Sequence, residues 1–350
     1  MRGKRALIWA LIVLLCVLPV QSAQAADTAT FLDEAYAFAY GETATVGICI
    51  TTGKRLEWTL RTEAGETLSK LTVPPCTQRY MSFRFKVDAH FARRTVLLLY
   101  RSDREEPQSR TLLFCDAPQN GALWQVACSE RLLAITFDAA NSAVYTKNIL
   151  DVLDRCNAKA TFFVIGRFVE ANPELCREIV ARGHELASHS YEHLDMHAAT
   201  AQEAYRSISR TDALIRACNG DTRVLYRPPS GKSSFRDRAI ARGLGSEVIR
   251  WSVDSGDGFT YTTYNSLIQR MKRNMHNGGI ALMHVYGEHT LKALTELLPY
   301  YAHKGYRFVT VSDLLLDGET YIDEWGTQYP LHHEPSQIAP LAGRLAVPRG

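Results

Sequence analysis

Six side chains that could move a proton or hold a charge stand where apolar runs stop. They are Asp138 after "LLAITF", His189 after "HELAS", Arg227 after "RVLY", Asp254 and Asp257 after "VIRWSV", and His284 after "IALM". A carboxylate can take a proton from water and an imidazole can return one to a leaving group, with a guanidinium keeping the carboxylate ionised. His189 and His193, in "HSYEH", are four apart, a spacing that can bring two imidazoles to one cation. Singly, each has a plainer reading. Asp138 could cap the next helix; the His pair could be chance among eleven histidines; Arg227 could meet a surface acid, Asp254 and Asp257 could cap a loop, and His284 could be a satisfied core histidine. Their conjunction at successive strand ends is what points to a site.

The elements that must position these groups follow from the patterning. Past "DAPQNGALWQ", apolar strands alternate with amphipathic helices. "LLAITF" precedes a helix around Tyr145 to Asp154. "ATFFVIG" precedes a helix begun by Asn172 and Pro173 and stopped before Gly183, and "HELAS" precedes one from about Ala201 to Gly220. In this last helix Ala204, Ile208, Thr211, Ile215 and Cys218 share a face, which makes Cys218 a core thiol. With "RVLY", "SEVIRWSV", "IALM" and "RFVTV" the strands number roughly seven, the rhythm of a parallel α/β domain closed or nearly closed as a barrel. Reacting groups in such barrels sit past the C-terminal strand ends, where the loops converge.

From about Thr28 to Asp116 the pattern is short and alternating with no long helical period, as in a small β-sandwich. It holds one histidine, His90, and no convergent acids, so it is read as a binding or spacing part. Residues 319–350, rich in Pro, His and Gly, read as a tail. The opening "MRGKRALIWALIVLLCVLPVQSAQAAD" has the basic start, apolar centre and Ala-Gln-Ala end of a secretory signal peptide, residues 1–25, with cleavage expected after Ala25. Its apolar run is shorter than the ~20 residues of a membrane span, so no span is expected after cleavage. The expected location is secreted, periplasmic or in the cell envelope. Removing Cys16 leaves seven cysteines, an odd number, with no C-x-x-C pair to suggest a cysteine zinc site. A net charge of +3, 46% hydrophobic residues and no basic run describe an ordinary globular protein and argue against nucleic acid as a partner.

"TFD", "HSYEH", "RPPSG", "VDSGDG" and "LMH", in that order, resemble the five motifs of the polysaccharide deacetylases, the NodB-like domain of carbohydrate esterase family 4. "NAKATFFVIG" and "NPELCREIVARGHELASHSYEH" are similar to the family's wording, and the resemblance runs from about Leu123 to Leu316. It implies a NodB-like (β/α)7 barrel over residues 122–318; the small all-β sandwich-like domain read from the strand pattern, residues 26–118, precedes it and lies outside the resemblance. It implies metal-assisted hydrolysis of an N-acetyl or O-acetyl group on an acetylated glycan, with peptidoglycan a reasonable substrate. By the same likeness Asp138 is the base steadied by Arg227, and His284 is the acid kept charged by Asp257. His189 and His193 hold a divalent metal, zinc foremost, with cobalt, nickel or manganese as alternatives. Pro229, Ser230, Leu282 and Trp251 face the substrate, Leu282 lining the acetyl pocket.

Two positions depart from the family's pattern. Ala139 stands where the family carries a second Asp, the third metal ligand, and Gly258 stands where a Trp would wall the sugar groove. Three readings of Ala139 stay open. In one, two imidazoles and waters, with Asn141 beside them, suffice for the metal; in another, His197 joins His189 and His193 on one helical face; in the third, the chain keeps the scaffold as a carbohydrate-binding module without catalysis.

Overall fold

The computed structural model describes residues 27–118, 121–139, 144–220 and 224–331. The expected signal peptide, Asn141 and residues 332–350 of the expected tail lie outside the described residues.

The chain divides into two compact units. Up to residue 118 the described elements are all strands: β1 (Thr28–Phe31), β2 (Ala35–Ala39), β3 (Thr43–Thr52), β4 (Leu56–Thr62), β5 (Thr67–Val73), β6 (Cys76–Lys86), β7 (Arg94–Arg101) and β8 (Ser109–Asp116). The first unit comprises Thr43–Phe85, Val96–Thr111 and the residues up to Glu34. In it β3 lies between β1 and β6, and β4 pairs antiparallel with β5 and β7. Ala44, Val46, Ile48 and Ile50 of β3 alternate into the interior, the period-two pattern a one-sided strand requires.

The second unit takes Leu112 onward, together with Ala35–Glu42 and Lys86–Thr95. The sequence suggested one boundary near residue 118, but β2 pairs parallel with Leu112–Asp116. Ala35 and Phe114 share an apolar cluster with Met196, Ala204, Ile208 and Ile240, and this burial binds them to the second unit.

The second unit continues with β9 (Gln125–Val126), β10 (Leu132–Ala139), α1 (Val144–Arg155), β11 (Ala160–Val164), α2 (Gly166–Ala171), α3 (Pro173–Ala181), β12 (Glu185–Ser188) and α4 (Ala201–Asn219). Then follow α5 (Phe235–Gly243), β13 (Val253–Asp254), α6 (Tyr264–Asn274), β14 (Gly279–His284), α7 (Thr290–His303), β15 (Arg307–Phe308), α8 (Val311–Leu314), β16 (Thr320–Ile322) and β17 (Thr327–Pro330). This is a mixed α/β fold. β12, β11, β10 and β14 lie side by side in parallel, and β13 and β15 pair with β14 and β10. Single parallel bridges extend from Ser188 to Tyr226 and from Tyr226 to Val248. The runs "RVLY" and "SEVIRWSV" thus give isolated bridges and one two-residue strand where full strands were expected. Leu133 to Phe137 of β10 are all buried, as in a parallel sheet covered on both faces, and this explains a continuous apolar run without alternation.

Local signals set the helices. Thr200 and Glu203 form a reciprocal capping box at α4, and Ser234 and Asp237 form another at α5. Pro173 occupies the first position of α3, and Gly183, with φ +77°, follows that helix. The expected apolar face of α4 is buried at Ala204, Ile208, Thr211 and Ile215, with Cys218 half-buried against the core. That face also carries Asp212, an acid the periodicity did not single out. The seven cysteines among the described residues are all free thiols. Glu319 to Leu331, read from the sequence as the start of a tail, carries the β16–β17 hairpin, which pairs with β9.

Candidate active site

Parallel register brings the strand ends together. Asp138 of β10 stands directly beside His284 of β14. Ser188 pairs with Val164 and bridges to Tyr226, so His189 and Arg227 each follow a paired residue at the same edge. Four residues remote in sequence therefore converge because their strands end at one level.

Asp138 is 5% exposed. Its Oδ1 accepts a hydrogen bond from Arg227 Nη1 at 2.8 Å, and its Oδ2 lies 3.4 Å from His189 Nε2. Arg227 is fully buried; it also donates to Thr136 Oγ1 at 2.8 Å and to the Arg250 carbonyl at 3.0 Å, and its guanidinium carbon lies 3.9 Å from the centre of the Phe163 ring. Burial alone would raise the carboxyl pKa of Asp138, but the charge and hydrogen bond of Arg227, with the charge of His284, hold it below its ordinary value. Asp138 is thus an ionised acceptor in a dry setting, which suits a proton-accepting base.

His284 is the complementary group. Its Nδ1 lies 2.8 Å from Asp257 Oδ1, and its backbone N–H donates to Asp257 Oδ2 at 2.8 Å. The Thr290 hydroxyl donates to the same Oδ2 at 2.6 Å, so three contacts fix the Asp257 carboxylate. Burial would lower the imidazole pKa, but hydrogen bonding and charge from Asp257, with the charges of Asp138 and Asp254, raise it. The proton is therefore held on a half-buried ring whose Nε2 is not used by Asp257, the disposition of an acid. Gly287 permits this packing: a Cβ there would stand 2.2 Å from Thr290 Oγ1 and 2.9 Å from Asp257 Oδ2.

The "HSYEH" segment does not form a helix. Ser190 and His193 take φ of +67° and +61°, and these left-handed residues set the turn that brings the His189 and His193 ring centres to 5.1 Å at 72°. His197 is exposed on the same irregular stretch, with its N–H donating to Asp195, so a shared helical face for three histidines is excluded. His189 Nδ1 lies 2.9 Å from the Arg227 carbonyl, an acceptor that assigns the proton to Nδ1 and the lone pair to Nε2. Burial pushes the His189 pKa down, against the charge of Asp138, which favours the neutral ligating form. Two neighbouring imidazoles, one with its lone pair on Nε2, are donors of the kind a divalent cation takes. Among the described residues no group of three or more His, Cys, Asp or Glu could hold a metal ion.

Leu282, buried in β14, pairs with Asp254 and Thr136 on either side. Trp251 is half-buried; its indole N–H donates to Asp254 at 3.2 Å and its ring lies 5.5 Å from the Arg227 guanidinium carbon. Pro229 is buried, whereas Ser230 is exposed with φ +54° in a short 3-10 turn. Two supporting residues escaped the sequence reading. Thr136 was legible as the same-face neighbour two residues before Asp138, whereas nothing in sequence linked Thr290 to Asp257.

A family model described as polysaccharide deacetylase matches residues 125–249. A peptidoglycan-N-acetylglucosamine deacetylase of Bacillus cereus is 32% identical over 203 residues, covering 57% of this chain and 94% of that protein. Peptidoglycan-N-acetylglucosamine deacetylase PgdA of Listeria monocytogenes is 33% identical over 202 residues, 57% of this chain. The match covers 42% of PgdA, so the chain spans less than half the length of that relative. Among solved structures, a variant with restored enzymatic activity of a CE4-family pseudoenzyme from Bacillus anthracis matches with a TM-score of 0.53 and 27% identity, over 59% of this chain and 76% of that one.

Proposed function

Because the chain belongs to the polysaccharide deacetylase family, we propose that it hydrolyses acetyl groups, N-acetyl foremost, from a cell-wall or extracellular polysaccharide, with peptidoglycan the first substrate to test. The observation that carries this reading is the opposed pair at one strand edge: Asp138 held ionised by Arg227, and His284 held protonated by Asp257. Asp138 takes a proton from the attacking water. His284 Nε2 gives one to the departing amine as the C–N bond breaks and acetate leaves. Arg227 keeps Asp138 ionised, Asp257 orients the acid, and Leu282, Trp251, Pro229 and Ser230 line the approach. His189 and His193 would hold a divalent cation, zinc foremost, with Asn141 or water where the family has an Asp and this chain has Ala139. When bound, such an ion supplies a Lewis acid for the acetyl carbonyl and lowers the pKa of water. We read the parallel unit as a NodB-like (β/α)7 barrel, the all-strand first unit as sandwich-like, and residues 1–25 as an export signal that places the protein in the cell envelope or outside it.

A second reading, a carbohydrate-binding homologue without turnover, is favoured by one observation, that no third metal-ligating group accompanies the two histidines among the described residues. The two readings separate on metal content and zinc affinity, measured for the wild-type protein beside His189→Ala/His193→Ala. Tight stoichiometric metal that the double variant loses supports hydrolysis; its absence from the wild type moves the weight to binding alone.

A further inference from the structure

We propose that the loop after β13 and the turn after β14 form an aromatic subsite that stacks on the sugar unit next to the one being deacetylated; this rests on the deacetylase reading above. A pocket of about 230 Å³ is lined by Asp257, Gly258, Phe259, Thr262, Tyr286 and His289, among others. It thus shares Asp257 with the acid His284. Two of the lining residues are exposed aromatics, Phe259 at 52% and Tyr286 at 42%, and a third, Tyr261 at 74%, adjoins Phe259. Phe259 and Tyr261 stack on each other at 5.2 Å and 13°, while the Tyr286 ring lies 5.1 Å from that of His284.

Exposed aromatic surface clustered at a pocket beside reactive groups marks a binding site more than scattered exposure does. The platform is braced by hydrogen bonds within its own loop. The Gly256 N–H donates to Asp254 Oδ1, the Gly256 carbonyl accepts from the Phe259 N–H and the Thr262 hydroxyl, and the Thr262 N–H donates to the Phe259 carbonyl. Rigid aromatic faces lose little entropy on binding. A pyranose ring fits this chemistry: its C–H face lies on an aromatic ring, and its hydroxyls meet the polar lining residues Thr260, Glu288 and His289. Gly258 keeps the passage to the acid open, because even a Cβ there would stand 3.0 Å from His284 Cε1. The pocket's occupant is therefore a neighbouring sugar of an N-acetylated oligosaccharide, and the platform sets a preference for chains over single sugars.

The test uses full-length wild-type protein and the Phe259→Ala/Tyr261→Ala variant, with folding checked by circular dichroism. Calorimetric titrations use the N-acetylglucosamine monomer, the β-1,4-linked tetramer and a soluble peptidoglycan tetrasaccharide. In the double variant, affinity for one or both tetrasaccharides should fall about tenfold, as loss of two stacking faces implies, while monomer affinity changes less than about twofold. For acetate release from the tetrasaccharide, KM should rise with kcat unchanged. Wild-type tetrasaccharide affinity in the double variant overturns the subsite alone, and so does an equal loss for monomer and tetramer. Failure of the wild type to bind any of the three sugars overturns the deacetylase reading and the subsite with it.

Discussion

Replacing Arg227 by Met should show how much of the site's order rests on one buried guanidinium. Arg227 has no exposed surface and makes three side-chain hydrogen bonds, to Thr136, Asp138 and the Arg250 carbonyl. Methionine keeps much of the contact with Phe163 but leaves the Asp138 carboxylate, 5% exposed, without its cationic partner. Removing one member of a buried pair costs about 3 to 5 kcal/mol, most of it the penalty for the orphaned charge. The pH dependence gives the mechanism a signature. In the wild type Asp138 has a depressed pKa, so its contribution is present above the unfolded carboxyl pKa and is lost as pH falls through the folded one. In Arg227→Met burial outweighs the remaining charges and the carboxyl moves upward, so the deficit is greatest near pH 8 and shrinks toward pH 5 as Asp138 takes a proton. Urea unfolding of the full chain at both pH values measures this. Adding Asp138→Asn to Arg227→Met should recover about 1 to 3 kcal/mol at pH 8, a coupling only contacting residues show. A loss below about 1 kcal/mol for Arg227→Met, equal at both pH values and unchanged by Asp138→Asn, would refute the assignment of Arg227 as the support of Asp138.

Asp257→Asn removes the charge that raises the His284 pKa, so the alkaline limb of the kcat/KM profile should move to lower pH, with a loss of about 10²-fold at pH 8 and less near pH 6. Asp212, buried on α4 with its pKa pushed up to about 7 by burial, stabilises the fold below its unfolded pKa of 3.8, and this contribution is lost as pH rises through 7. Asp212→Asn should therefore match the wild type near pH 4 and exceed it by about 3 to 4 kcal/mol at pH 8 in urea unfolding.

Much of the site was legible because a parallel sheet turns order in sequence into adjacency in space. Asp138, His189, Arg227 and His284 each follow an apolar run, and runs in register end at one edge. What escaped depended on tertiary packing. The spacing of His189 and His193 suited a helix, but left-handed residues at 190 and 193 bring the rings together by a turn. Asp212 sat among apolar neighbours on α4, so periodicity marked the face without marking the acid. Thr290 meets Asp257 across 33 residues through a close approach at Gly287, which no local pattern encodes. The assignment of Ala35–Ala39 to the second unit likewise depends on a partner strand more than 70 residues away. The exposure of Phe259 and Tyr261 is also a tertiary outcome: a sequence rich in aromatic residues gives no sign of which remain uncovered.

Acetate release from peptidoglycan and N-acetylglucosamine oligomers, measured with zinc supplied for wild type and Asp138→Asn, decides whether Asp138 is the base of a deacetylase. Acetate from the wild type and none from a folded Asp138→Asn is the predicted result. No acetate from the wild type, or an equal rate from both, would contradict it.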